Sequence, residues 1–251
     1  MTRDKQAIAI GIGAALLVLL GTVAVVFLSN RSDSTTKTAT TSTEGSHADA
    51  GGPRMKSGEF VDMSGNTDLP ASQFDGTVNS RFPQWSCIPR GAQTFLHVPL
   101  QIDGIKCLWG SGNAQGGQNF DEEVRGIPVN KKFETLYVYH CAFYGTPPKT
   151  PVYDLVFRYA DGTSATNTIL YGVDVLDWFG TGGPTGPNSK LAWKGVCTAG
   201  GQTQPLRFCL TALKNPQPFN EVTTIDLYSS KNRTVPCILA MTPGKSGLMR
   251  E

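Results

Sequence analysis

Apolar and polar residues alternate along much of the chain beyond about residue 60, in runs bounded by Gly, Pro and Asn. Alternation with a period of two puts successive side chains on opposite faces of a β-strand. The pattern predicts eight or nine strands and no convincing amphipathic helix. The clearest are Thr94–Ile102, Ile105–Trp109, Thr135–Phe143, Val152–Ala160, Ala165–Gly172, Pro205–Lys214, Val222–Ser230 and Pro236–Thr242.

One predicted strand, Thr135–Phe143, is largely apolar on both faces. Its sequence TLYVYHCAF places Leu, Val, His and Ala on one face and Tyr, Tyr, Cys and Phe on the other. A strand that is apolar on both faces is typical of a sheet buried on both sides. We therefore expect a central strand that is covered on both faces.

The turn signals complete the prediction of the fold. Asp103-Gly104 and Asp161-Gly162 are dipeptides typical of β-hairpins. The Gly-rich stretch Gly110–Gly117 leads into polar sequence and is interpreted as a surface loop. The predicted fold class is all-β: a two-sheet antiparallel jelly-roll sandwich over residues 57–243, followed by a flexible tail over residues 244–251.

The chain before this domain has a different pattern. Ala7–Leu28 is a run of 22 residues without a charge, and as a helix it would span roughly 33 Å, enough to cross a bilayer core. Arg3 and Lys5 precede the run, so the positive-inside rule places residues 1–6 in the cytoplasm and the rest of the chain outside. The alternative is a cleaved signal peptide, whose apolar region is typically shorter and ends in small residues.

A polar segment joins this predicted transmembrane helix to the sandwich. From Ser29 to Pro53, 11 of 25 residues are Ser or Thr. The apolar content is too low to offset the entropy lost on ordering, so residues 29–56 are predicted to be a disordered linker. The expected organisation is a single-pass membrane protein whose C-terminal domain is extracytoplasmic.

Charge and motifs restrict the function. The net charge of +2 gives no indication of a nucleic-acid surface. The sequence contains no HExxH, GxSxG or Walker motif, so no enzymatic activity is predicted. His97 and His140 lie within predicted strands and are interpreted as histidines that the sandwich satisfies. A pair of glycosidase carboxylates is left open. The candidates for such a pair are Asp161, Asp174, Asp177 and Glu221.

The six cysteines all lie in the domain that is expected to be outside the cytoplasm, where disulfides persist. Cys197 and Cys209 flank a Gly-rich turn and are the first candidate pair. The sequence does not choose among the connectivities. The alternative is that cysteines within strands act as small buried hydrophobes. No CxxC motif occurs, so neither a zinc site nor a thioredoxin-type site is indicated.

Acidic and indole side chains are close together after the strand that ends near Gly172. The candidate ligand-binding residues are Asp174, Asp177 and Trp178 in this turn and Trp193 in LAWKG. An indole is amphipathic, so each Trp could lie against a sugar or fold back over the core as a structural plug. Structural calcium would suit Asp and Asn oxygens in such loops. No ligand-spaced motif assigns a metal, and no other cofactor is predicted.

Seven segments, taken in their order and spacing, carry a resemblance to a known family. They are HVPLQIDG (His97–Gly104), GIPVNKKFETLYVYHCAF (Gly126–Phe143), YADGT (Tyr159–Thr163), YGVDVLDWF (Tyr171–Phe179), LAWKG (Leu191–Gly195), NPQPFNEVTTIDLYSS (Asn215–Ser230) and ILAMT (Ile238–Thr242). In this order they resemble the galactose-binding-like jelly rolls of bacterial extracytoplasmic proteins. The resemblance implies a β-sandwich and hints at glycan contact, and it implies no established reaction. We expect a binding module that contacts glycan or another envelope component, with a structural or protein-interaction domain of an envelope assembly as the alternative.

Overall fold

The computed structural model of this chain describes residues 54–74, 87–117, 119–199 and 202–250. The predicted transmembrane helix Ala7–Leu28 and nearly all of the predicted linker lie outside these residues. Within the described ranges, no helix is long and apolar enough to cross a membrane. The strands are β1 (Leu69–Pro70), β2 (Gly91–Phe95), β3 (Val98–Ile102), β4 (Gly104–Cys107), β5 (Glu123–Lys131), β6 (Thr135–Phe143), β7 (Pro151–Tyr159), β8 (Ser164–Leu170), β9 (Ser189–Ala199), β10 (Gln202–Lys214), β11 (Val222–Ser229) and β12 (Val235–Gly244).

The strands form antiparallel sheets, so the prediction of an all-β fold is confirmed. One sheet has six strands in the order β1-β4-β12-β6-β10-β9, and the second has four in the order β5-β11-β7-β8. The hairpin of β2 and β3 forms a separate pair. Successive strands of the chain alternate between the two main sheets from β4 to β7, so most of the pairing joins strands that are distant in sequence.

The first hydrophobic core lies between the two main sheets. Leu136 and Val138 of β6 pack in it together with Leu155 and Phe157 of β7 and Ile225 of β11. All five side chains are buried. This core holds the two sheets face to face, because each sheet presents its alternate apolar positions to the other.

A second core covers the other face of the six-stranded sheet. The β2–β3 hairpin contributes Val98, Leu100 and Ile102, which pack with Tyr137 and Tyr139 of β6. Because β6 contributes side chains to both cores, all nine of its residues are buried. The prediction of a central strand that is covered on both faces is confirmed.

The turns around β2, β3 and β4 differ from the prediction. Leu96 and His97 have φ values of 51° and 66°, and they reverse the chain within the predicted strand Thr94–Ile102. Two consecutive residues with positive φ form the two-residue turn that matches the twist of a β-hairpin. Asn and Gly usually occupy these two positions, so Leu and His did not indicate a turn in the sequence. Asp103-Gly104 does not close a hairpin, because β4 pairs with β1 and β12. Asp161-Gly162 does join the paired strands β7 and β8.

Two segments predicted to be irregular are held by hydrogen bonds. Within Gly110–Gly117 the short helix α1 (Ser111–Ala114) forms, and the amide of Ser111 donates to the Asn232 carbonyl at 2.9 Å. In the predicted tail, the Tyr137 hydroxyl donates to the Lys245 carbonyl at 2.7 Å. The chain from residue 244 to residue 250 therefore packs back onto the second core.

Candidate functional site

The segment that carries Asp177 and Trp178 lies between the ends of β6 and β10, beyond the residues where these two strands pair directly. The amide of Ala142 donates to the Leu176 carbonyl, and the amide of Trp178 donates back to the Ala142 carbonyl, each at 2.9 Å. On the opposite side, the amide of Arg207 donates to the Trp178 carbonyl at 2.8 Å. The backbone of this segment is therefore part of the sheet rather than a free loop.

The Trp178 side chain closes one end of the second core. Its ring centroid lies 4.9 Å from that of Phe143 and 4.4 Å from that of Phe179. The indole is partly buried, and Phe179 remains 43% exposed. This packing corresponds to the structural-plug interpretation of Trp178, with Phe179 as the more accessible ring of the pair.

The carboxylates of Asp174 and Asp177 accept hydrogen bonds from the protein itself. Asp174 accepts the Leu170 amide at 2.9 Å and the Ser189 hydroxyl at 3.2 Å. Asp177 accepts the Phe179 amide at 2.9 Å. Burial raises the pKa of both carboxyl groups, and these hydrogen bonds partly oppose that effect. Both side chains thus fix the conformation of the turn.

Trp193 belongs to a separate aromatic row. Its ring lies nearly parallel to that of Phe208, with centroids 5.2 Å apart and planes inclined by 20°. Phe208 in turn contacts Tyr139, at a centroid distance of 5.5 Å. Trp193 is partly exposed because β9 is the edge strand of its sheet. Phe208 covers one face of the Trp193 indole. The edge of the indole lies over Gly195, where an added Cβ would come within 2.1 Å of the ring.

The structure does not bring Cys197 and Cys209 together. In the β9–β10 ladder Cys197 lies opposite Gln204, while Cys209 lies opposite Leu191. Five positions along a strand correspond to roughly 17 Å, whereas a disulfide requires Cα atoms within about 7 Å. Cys209 is a free thiol. Proximity in sequence is misleading here, because the register of the two strands decides which residues face each other.

His140 lies in a buried polar network within the first core. Its Nδ1 is 2.7 Å from the Tyr153 hydroxyl and its Nε2 is 2.8 Å from the Thr211 hydroxyl. Thr211 connects it to Ser189, whose hydroxyl lies 2.9 Å away. Burial lowers the pKa of His140 to about 3, so the ring is neutral at physiological pH. The interpretation as a histidine that the sandwich satisfies is confirmed for His140. His97 does not lie within a strand as predicted, but in the exposed turn between β2 and β3. His140, Ser189 and Asp174 belong to a buried structural network rather than to an accessible triad.

The remaining candidate residues, Asp161 and Glu221, take part in local hydrogen bonds at the ends of strands. Asp161 accepts the amide and the hydroxyl of Thr163 at 2.9 and 2.6 Å, which closes the β7–β8 turn. These bonds lower the pKa of Asp161. The carbonyl of Glu221 accepts the Ala160 amide at 2.9 Å. Among the described residues, no group of three or more His, Cys, Asp or Glu side chains is arranged to hold a metal ion.

A groove of about 470 Å³ opens at one end of the sandwich. It lies where the β5–β6 turn, the β10–β11 loop and the end of β12 meet. Its lining combines apolar and aromatic side chains with three lysines and one glutamate. The lining residues are Lys131, Lys132, Phe133, Glu134, Pro218, Phe219, Pro243, Gly244 and Lys245. We call this feature the Phe219 groove.

Phe219 is 89% exposed, yet the loop that carries it is held firmly. Asn215, at the start of the loop, is 1% exposed, and its Nδ2 donates to the Phe133 carbonyl at 2.9 Å. Its Oδ1 accepts the Tyr159 hydroxyl at 2.6 Å and the Gln217 amide at 3.0 Å. An ordered loop therefore presents a large apolar side chain to solvent.

The polar side chains of the groove are predominantly positive. Lys132 and Lys245 are exposed, and no carboxylate of the described residues lies within ion-pair distance of either ammonium group. Lys131 donates to a backbone carbonyl of the N-terminal segment at 2.8 Å. Glu134 accepts a backbone amide at 2.9 Å. The charged side chains that line the groove therefore carry a net positive charge.

Sequence reasoning missed the Phe219 groove, because its three segments are distant along the chain. The one local signal was Phe219 itself, an aromatic residue between Pro218 and Asn220 in a turn, where polar residues are usual. Comparison with protein-family models, with curated proteins and with solved structures finds no match to this chain. The geometry of the groove is therefore the basis on which a function is argued.

Proposed function

We propose that this protein is a membrane-tethered, extracytoplasmic binding module of the jelly-roll type that binds an anionic glycan in the Phe219 groove. The observation that carries the proposal is the 89% exposure of Phe219 on an ordered loop beside three lysines. A sugar ring presents C–H groups that pack on an aromatic face. Carboxylate or phosphate groups on the same polymer would interact with the ammonium groups.

The aromatic ring and the lysines are expected to contribute differently to the binding free energy. Fully burying a Phe side chain contributes about 1.5–3 kcal/mol. The loop is already ordered, so binding does not require the entropy loss of fixing it. Exposed ion pairs contribute at most about 1 kcal/mol each. We therefore expect Phe219 to supply affinity, and Lys132 and Lys245 to supply the preference for negative charge.

Three further observations support the module and its location. The order β4-β12-β6-β10 against β5-β11-β7-β8 is the order that two interlocked Greek keys produce, which supports a jelly roll. The resemblance of the sequence to galactose-binding-like domains supports a sugar as the ligand. The uncharged run Ala7–Leu28 and the Ser/Thr-rich segment after it support a membrane anchor and a stalk.

The test measures retention of the full-length chain, in detergent, on immobilised polygalacturonate and on the same polymer after methyl esterification. Both matrices present the same sugar, and only the first is anionic. We expect retention on polygalacturonate, weaker retention on the ester and a decrease with rising salt, since salt screens exposed charges. Failure to bind any anionic polysaccharide would contradict the proposal.

Matched variants assign binding to the groove. Phe219→Ala should weaken binding roughly tenfold, which corresponds to about 1.4 kcal/mol, and Val196→Ala is its control at an exposed position on β9. The double variant Lys132→Gln/Lys245→Gln should reduce the difference between the two matrices, and Lys194→Gln is its control. Wild-type binding by Phe219→Ala would show that the ligand lies elsewhere.

The same assay tests the prediction that Trp178 and Trp193 contact the ligand. Both rings pack on neighbouring aromatics, so each alanine variant needs a urea unfolding curve beside its binding curve. Loss of binding in a stably folded Trp193→Ala variant would place the site on the β9 side. Unchanged binding would assign both indoles to packing.

The alternative, a protein-interaction domain, is favoured by β9. This strand has 11 residues, lies at the edge of its sheet and carries Val196, which is 60% exposed. An unpaired strand edge can add a strand from a partner. Photo-crosslinking from position 196 in intact cells tests it: a protein adduct there, together with no polysaccharide retention, would favour this function over the glycan module.

A further inference from the structure

Three cysteines form a row across neighbouring strands of the six-stranded sheet. Cys237 of β12 lies directly opposite Cys107 of β4 on one side and opposite Cys141 of β6 on the other. All three side chains face the second core and are 0% exposed. The alternative interpretation of strand cysteines, as small buried hydrophobes, therefore describes their location but not their mutual contact.

The contact between two of these thiols is unusually close. The Sγ atoms of Cys107 and Cys237 lie 2.9 Å apart, which is about 0.9 Å more than the length of a disulfide bond. Directly opposed residues of an antiparallel pair have Cα atoms about 4.5–5.5 Å apart, within the range that disulfides span. A small movement of the two side chains would bring the sulfurs to bonding distance without a change in strand register.

We propose that Cys107 and Cys237 form a disulfide that joins β4 to β12, and that Cys141 remains a thiol. In this step an S–S bond forms, and the two thiols together lose two protons and two electrons. The acceptor is a small disulfide such as oxidised glutathione, or the disulfide of an oxidoreductase, and it is reduced to two thiols. The pair is distinct from the predicted pair Cys197 and Cys209.

The burial of the pair determines when the bond can form. An oxidant cannot reach side chains that are 0% exposed, and burial raises the pKa of both the Cys107 and the Cys237 thiol, which opposes formation of the reactive thiolate. The bond is therefore expected to form as β12 docks between β4 and β6, before the second core closes. Once formed, it should resist reductants until the domain unfolds.

The test refolds the reduced, unfolded full-length chain in detergent with a mixture of reduced and oxidised glutathione. Free thiols are then alkylated under denaturing conditions, remaining disulfides are reduced and labelled with a second reagent, and peptides are mapped by mass spectrometry. We expect the second label on Cys107 and Cys237 and the first label on Cys141. The first label on both Cys107 and Cys237 would overturn the proposal, and a bond between Cys237 and Cys141 would overturn the assignment of the partner.

Two matched variants separate the members of the row. Cys141→Ser should keep the bond, and Cys107→Ser should lose it. In the oxidised wild-type chain, dithiothreitol should release the bond at least tenfold faster when urea is present than under native conditions. Equal rates would show that the bond is accessible and does not lie in the second core.

Discussion

Acidification is expected to destabilise the fold through His140. Its ring is 0% exposed, and both of its nitrogens are hydrogen-bonded, to Tyr153 and Thr211. Burial lowers its pKa from the ordinary value of 6.5 to about 3. The positive charge that the ring would gain at low pH has no carboxylate hydrogen-bonded directly to it, so in the folded state protonation is opposed by desolvation.

Proton linkage gives both the sign and the size of the change in the free energy of unfolding with pH. Between pH 6.5 and about 3 the unfolded chain binds a proton at His140 and the folded chain does not, so the free energy of unfolding falls as the pH falls through this window. At about 1.4 kcal/mol per pKa unit, the full loss is about 5 kcal/mol near pH 3. Between pH 8 and pH 5 the loss is about 2 kcal/mol.

Two carboxyl groups near His140 have the opposite effect on the stability of the fold at acidic pH. Burial raises the pKa of the carboxyl groups of Asp174 and Asp177, so the folded state binds their protons more tightly than the unfolded state. Their contribution favours folding at acidic pH and is lost as the pH rises through their folded values. The pKa of Tyr153 is raised well above 10, so this hydroxyl does not titrate in the window.

A variant isolates the histidine contribution from these carboxyl groups. Urea unfolding followed by tryptophan fluorescence at pH 8, 7, 6 and 5 should show that the stability of wild type relative to His140→Gln falls by about 2 kcal/mol over this range. His97→Asn is the control, since His97 is exposed and Asn tolerates its positive φ. A stability difference between wild type and His140→Gln that is independent of pH would refute the reasoning.

Two substitutions test the anchoring of the groove and the packing of α1. Tyr159→Phe removes the hydroxyl that donates to Asn215 Oδ1 in a buried site, and urea unfolding should show a loss of about 1–3 kcal/mol; an unchanged curve would mean that the loop does not depend on this bond. Gly110→Ala places a Cβ 2.4 Å from the Thr234 carbonyl oxygen, and the unfolding free energy should fall by about 1–3 kcal/mol. Gly65→Ala is the control, because an added Cβ there meets no atom within 4 Å. This variant should be neutral or stabilising by about 0.4–1 kcal/mol. Equal losses of unfolding free energy at Gly110 and Gly65 would contradict the packing argument.

The sequence was most informative where side-chain alternation alone decides the structure. Thr135–Phe143 is largely apolar on both faces, and this pattern admits few locations other than a strand between two cores. Asp161-Gly162 was equally informative, because Gly162 takes a positive φ of 83° in the turn between paired strands. In both cases the signal is local and needs no knowledge of the partner strand.

Features that depend on register or on distant segments were not visible in the sequence. Cys237 meets Cys107 because β12 docks beside β4, which places residues 130 positions apart in contact. The predicted pair Cys197 and Cys209 was chosen from sequence proximity, which carries no information about register. The hairpin at Leu96 uses residue types that seldom occupy positive φ, so turn chemistry could not reveal it.

The two cores also explain why a ligand is more readily accommodated at the end of the sandwich than on a sheet face. A two-layer sandwich leaves the outer face of each sheet open, but here the β2–β3 hairpin and the chain after residue 244 cover most of the outer face of the six-stranded sheet. The aromatic row that includes Tyr139 and Phe208 is thereby used for packing, and Trp193 lies at its partly exposed end on the edge strand β9. Loops at the end of a sandwich can vary without disturbing either core. Phe219 is an exposed ring on such a loop, so it can vary without disturbing either core. The buried Asn215 holds the loop in place and gives it the rigidity that binding requires.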